Sequence, residues 1–197
     1  MPDPAWPDVL QWIKAATNTV ELLPADPERR DEIRRAVGVS LESALGAVIH
    51  ETGGILVDHG WLRILGSGSP RLPRVARPDR GWILIADDAV GGFFALHPPE
   101  GKVRYLAPDT LEWEDLGIGY SAWLRWSLSS DSTTFSIDYR GVEWRRQVAS
   151  LAPHQCFHLA PPPWTEGPPF PDRSWKAVPV SEIYEMTLDF QKQLGKP

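Results

Sequence analysis

The chain has 197 residues, 42% of them hydrophobic and 23% charged, with a net charge of -6. That length supports one domain with a full core and no covalent staples. The acidic balance excludes general binding to nucleic acid or an anionic membrane, which calls for a basic footprint. A lone cysteine, Cys156, excludes an internal disulfide and points to a reducing compartment.

The opening residues, MPDPAWPD, lack the basic-then-apolar plan of a signal peptide. No run approaches the roughly 18 apolar residues of a membrane span, so a cytoplasmic protein with no membrane partner is expected. A first helix is predicted over residues 7–20. There Trp6, Val9, Leu10, Ile13, Ala16, Thr17 and Val20 form one stripe, and Pro7 fits a first turn. A second helix should start at an Asp26 N-cap with Pro27 at N1 and stop at Gly38. Its charges alternate in sign, with Asp31 placed to meet Arg35, as on a solvated face. Residues 40–51 read as a helix on Leu45, Val48 and Ile49 with a stop at Gly53–Gly54, or as a strand over 47–50.

ILVDHGWLRILG then reads as extended chain broken at residues 58–60, with 61–65 the firmer strand. Residues 66–80 hold three prolines and no apolar period, so a loop is expected. Arg71, Arg74, Arg77 and Arg80 recur every third residue and would share one side of a polyproline-II segment. That pattern is either a solvated loop or a cationic clamp. The meander is the clearest feature: apolar runs at 82–86, 93–96 and 103–106, separated by Asp87–Gly92 and a Pro-Gly turn. Gly91 and Gly92 supply positive φ, and Asp87 and Asp88 can cap the turn.

A further strand is expected over 111–116 and a helix over 120–128. A polar tract follows at 127–134, then helix from about residue 142. Residues 160–179 contain seven prolines with Trp164, Phe170 and Trp175 between them, either a strap on aromatic anchors or a flexible connection. An amphipathic helix over 181–194, N-capped by Ser181, closes the chain. The fold class expected is α+β in a single domain: helices over 1–52, a central antiparallel sheet over 55–116, and helices over 117–197 carrying the strap. The ten tryptophans are either core and strap anchors or a stacking surface for sugars or bases.

Nucleotide loops, zinc-protease, serine-elbow and CxxC motifs are all absent from the sequence. His154, Cys156 and His158 alternate along a strand, but i to i+4 spans about 13 Å, too far for all three to hold one zinc ion. No metal or other cofactor is expected. Asp58, His59, Asp87 and Asp88 offer acid–base groups near strand ends, or turn-forming acids with a structural histidine. Trp61 and Arg63 are residue types that anchor interfaces; alternatively Trp61 is core and Arg63 an edge residue.

The strings HETGGILVDHGWLRILGSG, ADDAVGGFFAL and YLAPDTLEWEDLGIGYSAWLRW, with PAWPDVLQWI and PVSEIYEMTLDF, resemble an uncharacterised bacterial family known only as a domain of unknown function. More distantly, a helix ending in ETGG before an antiparallel meander is similar to the SUKH superfamily. That resemblance implies a SUKH-like fold and a non-catalytic immunity protein that binds a toxin domain. The Arg-rich loop and the proline strap depart from a minimal SUKH domain.

The leading reading is therefore a non-catalytic protein-binding module, with a basic partner suited to the acidic charge. Its surface would comprise Trp61, Arg63, Asp87, Asp88, Arg71, Arg74 and Arg77. The alternatives are a small hydrolase or metal-assisted enzyme using Asp58, His59, Asp87 and Asp88, and a ligand sensor with a Trp-lined groove. An enzyme should gather those acids and the imidazole in one concave pocket.

Overall fold

The computed structural model describes residues 4–196. Its fold is α+β: a mostly antiparallel sheet with helices packed before and after it in sequence. The N-terminal layer comprises α1 (Trp6–Lys14), β1 (Val20–Pro24), α2 (Arg30–Val37) and α3 (Ala44–Glu51). The sheet continues through β2 (Thr52–Val57), β3 (Leu62–Leu65), β4 (Arg77–Asp79), β5 (Trp82–Asp88), β6 (Phe93–His97), β7 (Lys102–Leu106) and β8 (Trp113–Asp115). Then come α4 (Tyr120–Ser127), α5 (Ser130–Phe135), α6 (Trp144–Ala149), β9 (Gln155–Ala160), β10 (Ser174–Pro179) and α7 (Val180–Gln193). The strand order is β1-β2-β3-β5-β6-β7-β8. Strand β4 pairs with the first half of β5, while β3 pairs with its second half.

Several local expectations are corrected. The first helix ends at Lys14, and Val20 opens an edge strand opposite Val57. Residues 17 and 18 leave the helix because Thr17 N–H donates to Leu128 O at 3.1 Å and Asn18 Nδ2 to Ser129 O at 2.6 Å. Asp26 caps a turn by accepting from Glu28 N–H at 3.0 Å, and the regular helix starts at Arg30. Gly38, at φ 77°, ends it as expected. Residues 44–51 are helix, with Ser43 Oγ accepting from Gly46 N–H, and the chain runs straight into β2 with both glycines inside the strand.

The Arg-rich segment is not a free loop. Leu72 and Ala76 are buried and β4 is paired, so its arginines diverge. The polar tract is mostly α5, with Ser129 accepting from Asp131 N–H at its start. The last six residues of the proline strap are β10, paired in register with β9. Pro179 precedes α7, so Ser181 lies inside the helix rather than capping it.

Both faces of the sheet are covered. Ile55, Ile64, Ile85, Phe94 and Val103 belong to a core shared with α1, α3 and α4. On the other face Leu84, Phe93, Ala95 and Leu106 pack with Cys156 and the α7 residues Ile183 and Tyr184. One cross-strand row on that face reads Leu56, Arg63, Asp87, Phe93, Leu106, Trp113. Two charges thus sit directly opposite one another in an otherwise apolar row.

Candidate functional site

The Arg63–Asp87 pair is the centre of the site. Burial of the row leaves Arg63 5% and Asp87 2% exposed, and such charges must be paired. Arg63 Nε lies 2.6 Å from Asp87 Oδ1, and its other nitrogens donate to Asp88 O at 2.5 Å and Gln155 O at 2.6 Å. Arg74, from the segment before β4, grips the same carboxylate with Nε at 2.8 Å and Nη2 at 2.9 Å, and its Nη1 donates to Pro153 O. Two guanidinium groups on one buried carboxylate join β3, β5, the Arg-rich segment and the entry to β9.

Asp88 turns the other way. Its Oδ1 accepts from Val90 and Gly92 N–H at 2.9 and 2.8 Å, and its Oδ2 from the Tyr105 hydroxyl at 2.7 Å. Burial raises its carboxyl above the usual range against those hydrogen bonds and the charge of Arg63. Burial and the Asp88 charge likewise push the Tyr105 phenol up. Gly91 sits at φ 83°, as expected for the turn. Gly92 does not, and is required instead because a Cβ there would overlap the Tyr105 hydroxyl and the Asp88 carboxylate.

A separate network holds Asp58. Its Oδ2 accepts from Thr133 Oγ1 at 2.7 Å and Arg140 Nη1 at 2.5 Å. Arg140 lies 4.6 Å from the rings of both Trp61 and Trp144. Asp58 and His59 both adopt left-handed backbone, at φ 50° and 59°. His59 is exposed and leans its ring on Trp144 at 6.1 Å; no hydrogen bond joins it to any of the acids. Trp61 is core, 2% exposed and edge-on to Trp144 at 5.6 Å.

Of the surface expected from the sequence, Trp61, Arg63, Asp87 and Asp88 are therefore buried. Arg71 is exposed and pairs with Glu21 on β1. Arg74 and Arg77 do come together with Asp87, around a cavity of about 190 Å³ whose lining includes Leu84, Phe93, His154, Val180 and Tyr184. Tyr184 is held there by donating to Asp79, and the Arg77 guanidinium lies 5.9 Å from its ring. Val180 N–H donates to His154 O at 2.9 Å, tying the start of α7 to β9. The four acid–base candidates do not converge. Asp87 borders this cavity, His59 borders another with Arg63 and Arg71, and Asp58 and Asp88 border a third of only about 20 Å³.

Sequence reading missed Arg140, His154 and Tyr184. A cationic residue at position 140 beside the rings of Trp61 and Trp144 in space had no periodic signal. His154 was visible only as part of an alternating trio; it is exposed just before β9, while Cys156 on the strand is fully enclosed and His158 half-buried. Among the described residues, no group of three or more His, Cys, Asp or Glu side chains could hold a metal ion. Among the same residues no helix is long and apolar enough to cross a membrane.

A family model described as "Protein of unknown function DUF2625" matches residues 1–183. A putative uncharacterized protein, YbfG, of Escherichia coli (strain K12) is 39% identical over 203 residues, covering 96% of this chain and 93% of its own length. An uncharacterized protein of Haemophilus influenzae is 36% identical over 177 residues, covering 80% of this chain and 76% of its own.

Proposed function

The chain belongs to the DUF2625 family of proteins of unknown function, and from that starting point we propose that it is a non-catalytic protein-binding module whose recognition surface is the cleft flanked by Arg74 and Arg77 at the start of α7. One observation carries the reading: the acids that could do chemistry are already spent. Asp87 is clamped by two arginines, Asp88 accepts three hydrogen bonds, and Asp58 accepts two. A general base needs a lone pair within reach of substrate, and the only imidazole in the set stands apart from all three carboxylates. The cleft, in contrast, combines an apolar lining with a few fixed polar groups, the composition of a binding site. Arg74 is preorganised by Asp87, and Arg77 reaches solvent over Tyr184. The SUKH resemblance makes a toxin domain the class of partner to test first, within a cytoplasmic setting.

The test is the affinity of a protein recovered with a tagged copy of the chain, measured against Arg77→Glu and Arg71→Glu. Arg77→Glu should weaken binding about thirtyfold or more, as for an interface hot spot. Arg71→Glu, outside the cleft, should have little effect on binding, and neither exposed substitution should cost more than about 1 kcal/mol of stability. Full-strength binding by Arg77→Glu would remove the cleft from the interface.

A further inference from the structure

A further cavity, of about 140 Å³, opens between the end of α5, the turn after β7 and the short helical turn at Phe170–Asp172. Carboxylates and rings share its lining: Asp109, Glu114 and Asp138 with Tyr105, Tyr139 and Phe170. We propose that this cavity binds an organic cation, an ammonium or guanidinium group on a short aliphatic chain.

Two of its carboxylates are unpaired. Asp109 and Asp138 are exposed at the rim, and neither has an ion pair or side-chain hydrogen bond among the described residues. Burial and the repulsion of Asp109 and Glu112 hold the Glu114 carboxyl above its usual range, despite a hydrogen bond from Thr110. The Arg173 guanidinium lies 4.9 Å from the Phe170 ring but pairs with none of these acids, because its nitrogens donate to carbonyl oxygens of Pro161, Pro162, Thr165 and Pro168.

The independent sign of a ligand is Tyr139. It is 8% exposed, and its hydroxyl is buried without a hydrogen-bond partner among the described residues. Tyr139 lines the cavity together with Asp109, Glu114 and Asp138, and burial, then the charges of Asp109 and Asp88, push its phenol up. A buried hydroxyl left unpaired is destabilising, and an N–H donor seated here would satisfy it. Tyr139 stacks on Phe170 with centroids 4.2 Å apart and planes 11° from parallel, which makes a stiff aromatic wall. Aromatic walls beside carboxylates favour an organic cation over a hard metal ion, which requires an oxygen cage. The volume falls short of the roughly 300–1,000 Å³ of drug-sized sites, so the cavity takes one cationic head.

The experiment is calorimetric titration of the full chain with agmatine, with N-acetyl-arginine amide and with magnesium chloride. One organic cation should saturate at a single site with a Kd of about 1 mM or tighter. The double variant Asp109→Asn/Asp138→Asn should weaken it about tenfold or more, and Tyr139→Phe, which keeps the ring and the fold, should weaken it several-fold. Arg77→Glu should leave it unchanged, which separates this site from the cleft. Tighter binding of agmatine assigns the site to a free small-molecule cation; tighter binding of the blocked amide assigns it to a partner's arginine side chain. The proposal is overturned if neither organic cation saturates, if the Asp variants bind as well as the parent, or if magnesium binds more tightly than both.

Discussion

Arg74 holds both carboxylate oxygens of Asp87, at 2.8 and 2.9 Å, from a segment that the sequence marks as loop. Together with Arg63 it turns one buried acid into the joint of four segments. Removing that acid leaves two guanidinium groups facing an apolar row, and breaking a buried pair from one side costs about 3–5 kcal/mol. Asp87→Ala should therefore lose that much stability in denaturant melts. Arg71→Ala, which breaks only the exposed pair with Glu21, should lose about 1 kcal/mol or less. Similar losses for the two variants would contradict a structural role for Asp87.

The turn between β5 and β6 needs both glycines for different reasons. Gly91→Val meets a left-handed backbone and the Ile183 side chain, and Gly92→Ala displaces the Tyr105–Asp88 hydrogen bond. Each should destabilise by more than about 1 kcal/mol. Urea midpoints unchanged in either variant would contradict this account of the turn.

Asp88 makes the stability depend on pH in a direction opposite to that of an ordinary salt-bridged acid. Its folded pKa is raised by burial, so the folded state holds the proton more tightly than the unfolded one. Its contribution to stability is greatest below the unfolded value, about pH 4, falls as pH rises through the folded value, and then levels off. Asp88→Asn stays neutral and can still accept from Val90 and Gly92 N–H. The stability of this variant relative to the parent should rise with pH across that window in urea melts. A difference that is flat or falls with pH would contradict the assignment.

Cys156 should be inert. It is fully buried, and burial pushes its thiol up to about 12. Reaction with a disulfide reagent at pH 8 should be limited by unfolding, and rapid labelling of the native protein would contradict its place in the core.

The meander was legible because glycine turns, aromatic runs and the Asp87–Asp88 pair state it locally. Strand β1 was not, since Val20 also fits the helical stripe of α1, and only its pairing with Val57 decides the matter. Strand β10 was hidden by the prolines around it; its evidence is the register with β9 across the proline-rich connection. Trp61 suits an interface and a core equally well on residue type. What covers it, Tyr139, Trp144 and Phe157, comes from a part of the chain with no link to it in sequence. Arg63 and Asp87 did carry a signal: each is a charge inside an apolar strand, and two such charges of opposite sign invite pairing. The cleft was half visible, because Arg74 and Arg77 were marked while His154 and Tyr184 join them only through the docking of β9 and α7.

The proposed partner-binding surface is the cleft at the start of α7. Hydrogen exchange of the chain alone and with a recovered partner tests it most directly. The account predicts new protection over residues 74–77, at His154 and over residues 179–184, with the β5–β6 turn already protected in the free chain and little changed. Protection confined to surfaces away from those residues, with the cleft exchanging as fast as before, would contradict it.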